Sequence, residues 1–171
     1  MGQASGQEKG LDDIGALLPK PGSGSMSVRE VLVQKRQREV LSIGPKDTVF
    51  DALSRMAEKN VGALVVVEGG RVVGVVSERD YARKVILIGK SSRETAVEEI
   101  MGAPAVTVTT GTTVAECMAL MTGRHLRHLP VLADDVLIGL VSIGDLVKTL
   151  LADQEARLGK IEAYISGSYP A

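Results

Sequence analysis

Gly74-Val75-Val76-Ser77-Glu78-Arg79-Asp80 returns sixty-five positions later as Gly139-Leu140-Val141-Ser142-Ile143-Gly144-Asp145. The offset holds without a gap in both directions. Thr48-Val49 falls on Thr113-Val114, Met56 on Met121, Leu64 on Leu129 and Val66 on Val131. Self-similarity at one fixed period marks a duplicated structural unit, here of about 60 residues.

Each copy reads alike. A short strand (Val40–Ile43, then Ala105–Val108) precedes a turn at Pro45-Lys46-Asp47 or Thr110-Gly111-Thr112. Thr48 with Asp51, and Thr113 with Glu116, have the spacing of a helix cap, in which side chains satisfy the free N–H groups of the first turn. The stripe Val49, Ala52, Leu53, Met56 is mirrored by Val114, Cys117, Met118, Met121, at helical spacing. Two β-rich runs follow, Ala63–Val67 and Val72–Val76, joined through Gly69-Gly70, a hairpin signal. Their counterparts Leu129–Leu132 and Leu137–Val141 meet at Asp134-Asp135, and a second helix starts at Ser77 or Ser142. The expected fold is α+β: two tandem βαββα repeats, 28–90 and 96–152, packed sheet against sheet about a pseudo-two-fold axis. Neither repeat alone buries enough apolar surface.

The flanks differ. Residues 1–25 are Gly/Ser-rich, and such composition cannot offset its ordering entropy; a disordered leader or appended tag is expected, although Leu11–Leu18 forms a short apolar patch. Residues 153–171 read as a C-terminal amphipathic helix and tail. The apolar set Leu150, Leu151, Leu158, Ile161, Ile165 suits either packing on the parent domain or a second subunit.

Composition excludes several functions. The 171 residues carry 20 basic and 21 acidic side chains, for a net charge of −1, so no global field holds a polyanion. With one Phe, three Tyr and no Trp there is no stacking platform for single strands. Nucleic acid is therefore not an expected partner. Neither is a membrane, because no apolar run approaches about 18 residues. The lone Cys117 excludes an internal disulfide framework and a Cys-based zinc cluster. A soluble cytoplasmic protein is expected.

The repeated Gly-x-x-Ser-x-x-Asp carries the chemistry. A glycine on the incoming strand lets something approach the backbone. A serine at the strand-to-helix junction sits where a helix N-terminus attracts phosphate. An ionised carboxylate three residues on accepts from both hydroxyls of a ribose. Ser-x-x-Asp is also a plain capping arrangement that needs no ligand. What favours a nucleotide is its recurrence beside basic residues: Arg79, Arg83, Lys84, Lys148 and the run Arg124-His125-Leu126-Arg127-His128. Arg127 and His128 stand where the first copy has Gly62 and Ala63, so the two sites are expected to differ. Carboxylates folded onto their own backbone, beside grooves filled by side chains, would leave only the capping role.

Val61–Val66, Gly74–Arg83, Arg127–Val131 and Gly139–Asp145 together resemble the tandem cystathionine-β-synthase (CBS) domain pair, or Bateman module, over about Val28 to Leu151. The chain is similar to small stand-alone proteins made of little else. The resemblance implies a non-catalytic sensor that takes an adenine nucleotide between the repeats and transmits its state to a partner protein. AMP is the first candidate, with ATP/ADP or NAD(H) next, and no cofactor is required. It implies ribose on Asp80 and Asp145, phosphate at Ser77 and Ser142, and adenine along the main chain at Ala63, Leu64, Leu129 and Pro130. It further implies phosphate contacts from Arg79, Arg83, Arg127 and His128 towards the Asp80 site, Thr48 and Thr113 near the clefts, and a homodimer formed through helices. Arg79 becomes Gly144 and Val65 becomes Pro130, so one tight and one weak or empty site is expected.

Two other functions stay open. One is a structural dimerisation module. The other is an enzyme acting on nucleotides or through a thiol, for which Cys117 is the sole nucleophile of that kind and falls on an inward helical stripe. His125 and His128 lack carboxylate or thiol partners for a metal, and no Ser-His constellation or phosphate-binding glycine loop is present.

Overall fold

Two capping boxes start the first helix of each repeat. Asp51 N–H donates to Thr48 Oγ1 and Glu116 N–H to Thr113 Oγ1, both at 3.1 Å, while each carboxylate accepts in return from the cap residue. A computed structural model describes residues 25–35 and 39–165. The first repeat holds β1 (Ser42–Ile43), α2 (Val49–Lys59), β2 (Ala63–Glu68), β3 (Arg71–Ser77) and α3 (Glu78–Lys84), preceded by α1 (Val28–Lys35). The second holds β4 (Val108–Thr109), α4 (Val114–Arg124), β5 (His128–Ala133), β6 (Val136–Ser142) and α5 (Ile143–Ile165). Short 3₁₀ turns cover Ile86–Ile88 and Val97–Glu99. The expected leader (apart from Ser25) and the last six residues lie outside the described residues.

Each sheet has three strands in the order β1-β2-β3 or β4-β5-β6, the first pair parallel and the second antiparallel. The hairpins turn at left-handed pairs: Gly69 (φ 55°) with Gly70 (80°), and Asp134 (48°) with Asp135 (62°). Aspartate tolerates this region because its short polar side chain bonds locally. The opening strands are shorter than Val40–Ile43 and Ala105–Val108 suggested, two residues each. β3 touches both β5 and β6, which joins the sheets into one body.

Chain order and core membership do not coincide. Val28 and Val31 of α1 pack into the second repeat's core with Val114, Cys117, Met121 and Leu146. Val28 N–H donates to Thr112 O (2.8 Å) and Val114 N–H to Met26 O (2.8 Å). In exchange Val97 and Ile100 pack with Ile43, Met56 and Leu64 of the first repeat, where Val49 N–H donates to Thr95 O (2.9 Å). Each lead-in thus braces the other repeat.

The two closing helices differ in length. After Lys84 the run Val85–Ile88 and Gly89 (φ 73°) end α3 after seven residues. After Lys148 come Leu, Ala, Gln, Glu and Arg, strong helix formers with no proline, and Arg157 pairs with Asp153 one turn back. The C-terminal helix expected as a separate unit is therefore the continuation of α5. Leu150 packs on the second core, whereas Leu151, Leu158, Ile161 and Ile165 are exposed.

Candidate functional site

Two grooves run between the repeats, and the offset of sixty-five maps one onto the other. The first, about 610 Å³, is lined by Ser77, Asp80, Arg79, Arg83, Arg127 and His128 together with Val106, Arg124, His125 and Leu126. The second, about 500 Å³, is lined by Ser142, Leu140, Ala63, Gly62, Leu41, Lys59, Asn60 and Val61, and by Lys35 and His128. Lys59 and Asn60 stand where the first groove has Arg124 and His125.

The carboxylates do fold onto their own caps. Asp80 Oδ2 accepts from Ser77 N–H (2.9 Å) and Ser77 Oγ–H (2.7 Å), and Asp145 Oδ2 accepts from Ser142 N–H (2.8 Å). The grooves beside them part company. Beside Asp80 the second oxygen, Oδ1, has Lys84 Nζ at 3.4 Å, and that ammonium donates to Ile100 O at 2.7 Å. Beside Asp145, Lys35 Nζ donates to Oδ2 at 2.8 Å and also to Leu140 O at 2.8 Å. Burial acts to raise the Asp145 pKa. The Lys35 hydrogen bond, the Ser142 N–H and the Lys35 charge outweigh it and hold the carboxyl below its ordinary range.

Two expectations about the motif are corrected. The glycines do make room, but for the chain itself: a β-carbon on Gly74 would lie 2.7 Å from Met101 Sδ and 2.9 Å from Gly102 O, and one on Gly139 would lie 2.7 Å from Leu32 Cδ2. The helix starts are largely spent. Glu78 N–H donates to Gly62 O (3.1 Å), Ile143 N–H to Arg127 O (3.0 Å), and Asp80 N–H to Ser77 Oγ (3.3 Å). The positive charge available to an anion in the first groove is therefore that of side chains, four arginines and Lys84, which line it with His125, His128, Glu78 and Asp80.

Of the residues singled out in the sequence, Ser77, Arg79, Asp80, Arg83, Arg127 and His128 come together in one groove. Ser142 and Ala63 line the other, with Asp145 behind Lys35. Thr48 and Thr113 line neither groove; both cap helices and bridge to Ala96 and Ser27. Leu64 and Leu129 are fully buried in the two cores, and Pro130 is buried within β5. The linker Gly102–Val106, Lys35, Lys59 and Asn60 are lining residues that the motif did not announce. His128 lines both grooves; burial first, then the Lys35 charge, lowers its pKa, with Asp145 acting in the opposite sense. Cys117 is buried, and burial followed by the Glu116 charge pushes its thiol up to about 11, too high for a thiolate at neutral pH.

The comparisons with known proteins agree with this architecture. The CBS domain family model matches residues 27–86 and 97–152. The mitochondrial CBS domain-containing protein CBSX3 of Arabidopsis thaliana is 45% identical over 128 residues, which cover 72% of this chain and 62% of that protein. A putative signal-transduction protein with CBS domains from Burkholderia ambifaria is 50% identical over 75% of this chain and 96% of its own, with a TM-score of 0.70. The CBS domain pair of protein MJ0100, solved with 5′-methylthioadenosine and S-adenosyl-L-methionine, shares the fold at 19% identity and a TM-score of 0.65, covering 76% of this chain and 99% of its own. With both repeats matched in tandem, the chain belongs to the CBS domain family and carries two such domains in one polypeptide.

Proposed function

We propose that the chain is a non-catalytic regulatory module that binds an adenine nucleotide in the groove beside Asp80 and passes the ligand state to a partner protein in the cytoplasm. The observation that carries this reading is the groove itself: a capped carboxylate on one wall, and Arg79, Arg83, Arg127 and His128 around it. Asp80 Oδ1 faces a ribose, the guanidinium groups take phosphate as paired donors, and the apolar wall of Val106 and Leu126 accepts a base. AMP is the first candidate, followed by ADP, ATP and NAD(H). The adenosine-containing ligands of the MJ0100 domain pair, a protein of the same fold, support the choice of ligand class. A ligand signals through its different affinity for two packings of the repeats.

The test is a thermal-shift panel of AMP, ADP, ATP, NAD, NADH and S-adenosylmethionine. Saturation at about 100 times Kd adds roughly 2.7 kcal/mol of stability. A flat response to all six, or unchanged affinity in Asp80→Asn, overturns the reading.

A homodimeric scaffold is a second role, favoured by the exposed Leu151, Leu158, Ile161 and Ile165 of α5. It is compatible with nucleotide binding. An enzymatic role has less support: Cys117 is buried, and among the described residues no group of three His, Cys, Asp or Glu is placed to hold a metal ion. No described helix is long and apolar enough to cross a membrane.

A further inference from the structure

Lys35 comes from α1, outside the repeated motif and 110 positions from Asp145, yet it sits inside the second groove. Its ammonium makes two hydrogen bonds there, one to the Asp145 carboxylate and one to the Leu140 carbonyl, each 2.8 Å. Its side chain is 24% exposed and that of Asp145 is 22% exposed, so the pair is largely withdrawn from solvent. The first groove has a looser counterpart, Lys84, whose ammonium donates to Ile100 O at 2.7 Å and lies beside the Asp80 carboxylate. The carbonyl equivalent to Leu140 O is Val75 O, which accepts instead from the backbone N–H of Gly102 at 2.8 Å. The cation near Asp80 is Lys84, which lies one turn along the same helix, at 3.4 Å, with 47% of its side chain exposed.

We infer that Lys35 is a specificity-determining residue that reserves the second groove for the chain itself, so that the pair takes one nucleotide per chain, beside Asp80. A ribose reaching Asp145 must first break both Lys35 bonds and leave a largely withdrawn ammonium without them, whereas the Lys84 contact with Asp80 in the first groove is longer, 3.4 Å, and nearer solvent, and its bond to Ile100 O does not involve the carboxylate. The larger groove also holds Arg124, His125, Arg127 and His128, whereas the second has Lys59, Asn60, Gly62 and Ala63 at the equivalent places. Lys35 thus turns a duplicated site into an unequal one.

This inference rests on the nucleotide reading above, and calorimetry with AMP separates the two. The expected result is one AMP per wild-type chain, and two per chain in Lys35→Met, the second event disappearing again in Lys35→Met/Asp145→Asn. Two AMP per wild-type chain, or one in Lys35→Met, overturns the Lys35 assignment and leaves the proposed function standing. No heat with either protein, for AMP and for every other nucleotide of the panel above, overturns both. Lys35→Gln, with helix content checked by circular dichroism, repeats the count should Lys35→Met fold poorly. Independently of any nucleotide, the Lys35 amine should react at least about tenfold more slowly with an acylating reagent in the wild type than in Asp145→Asn, a ratio equal to about 1.4 kcal/mol of protection. Equal rates overturn the assignment.

Discussion

Val75 and Gly102 exchange two backbone hydrogen bonds, Val75 N–H to Gly102 O at 3.1 Å and Gly102 N–H to Val75 O at 2.8 Å. This pins the inter-repeat linker along β3 and brings Met101 over Gly74, so the wall of the first groove is built by the chain passing between domains.

That contact predicts unequal costs for one substitution made twice. In Gly74→Ala the new methyl meets Gly102 O, a backbone atom, at 2.9 Å, besides Met101 Sδ. Gly139→Ala meets only the end of the flexible Leu32 side chain within 3.5 Å. Overpacking costs about 1–3 kcal/mol. Gly74→Ala should fall in that range by urea denaturation and Gly139→Ala below it; equal losses would show that the linker gives way as easily as a leucine.

Arg127 separates the grooves, since Gly62 stands at its counterpart, as Gly144 does for Arg79. A hydrogen bond to a charged group contributes about 1.5–3 kcal/mol. Arg127→Ala should therefore weaken AMP binding about ten- to a hundredfold and flatten its dependence on salt. Isothermal titration at two ionic strengths measures both.

Cys117 predicts an alkaline weakness. Burial pushes its folded pKa to about 11, above the ordinary value of 9.0, so the native state holds the thiol proton more tightly than the unfolded chain does. Its contribution is complete below pH 9 and is lost as pH rises from 9 towards 11. The two-unit difference corresponds to about 2.7 kcal/mol. The stability drop between pH 8 and 11 should be smaller by about that much in Cys117→Ala than in the wild type. Equal drops in urea melts would refute it.

The outward face of α5 predicts self-association. Leu158, Ile161 and Ile165 are 61%, 55% and 78% exposed at helical spacing. Light scattering should give a dimer mass for the wild type and a monomer mass for Leu158→Glu/Ile161→Glu. A monomeric wild type would assign the face elsewhere.

What the sequence revealed and what it hid divide by range. Caps, hairpin turns and helical stripes are local, so Thr48-Asp51, Gly69-Gly70 and Val49–Met56 were readable residue by residue, and the constant offset supplied the pairing of the halves. The break of the repeat at Arg127 and His128 showed that the two sites differ, and the family resemblance implied their approach to Asp80. Lys35 left no local trace: its partners lie 105 and 110 positions away. The same holds for Met101 and Leu32 against the two glycines, where a motif suited to ligand approach serves chain packing instead. The continuity of α5 was hidden because two amphipathic patterns, each plausible alone, join without a breaking residue.

The unequal endings of the repeats have a mechanical result. α3 stops after seven residues, whereas α5 runs for 23 from the Ser142-Asp145 junction. At about 1.5 Å per residue its tip stands roughly 33 Å from that pivot, so a tilt of about 5° at the junction swings Ile165 by about 3 Å. The second half of the molecule therefore ends in a pointer that magnifies small rotations at its root, and the first half has none.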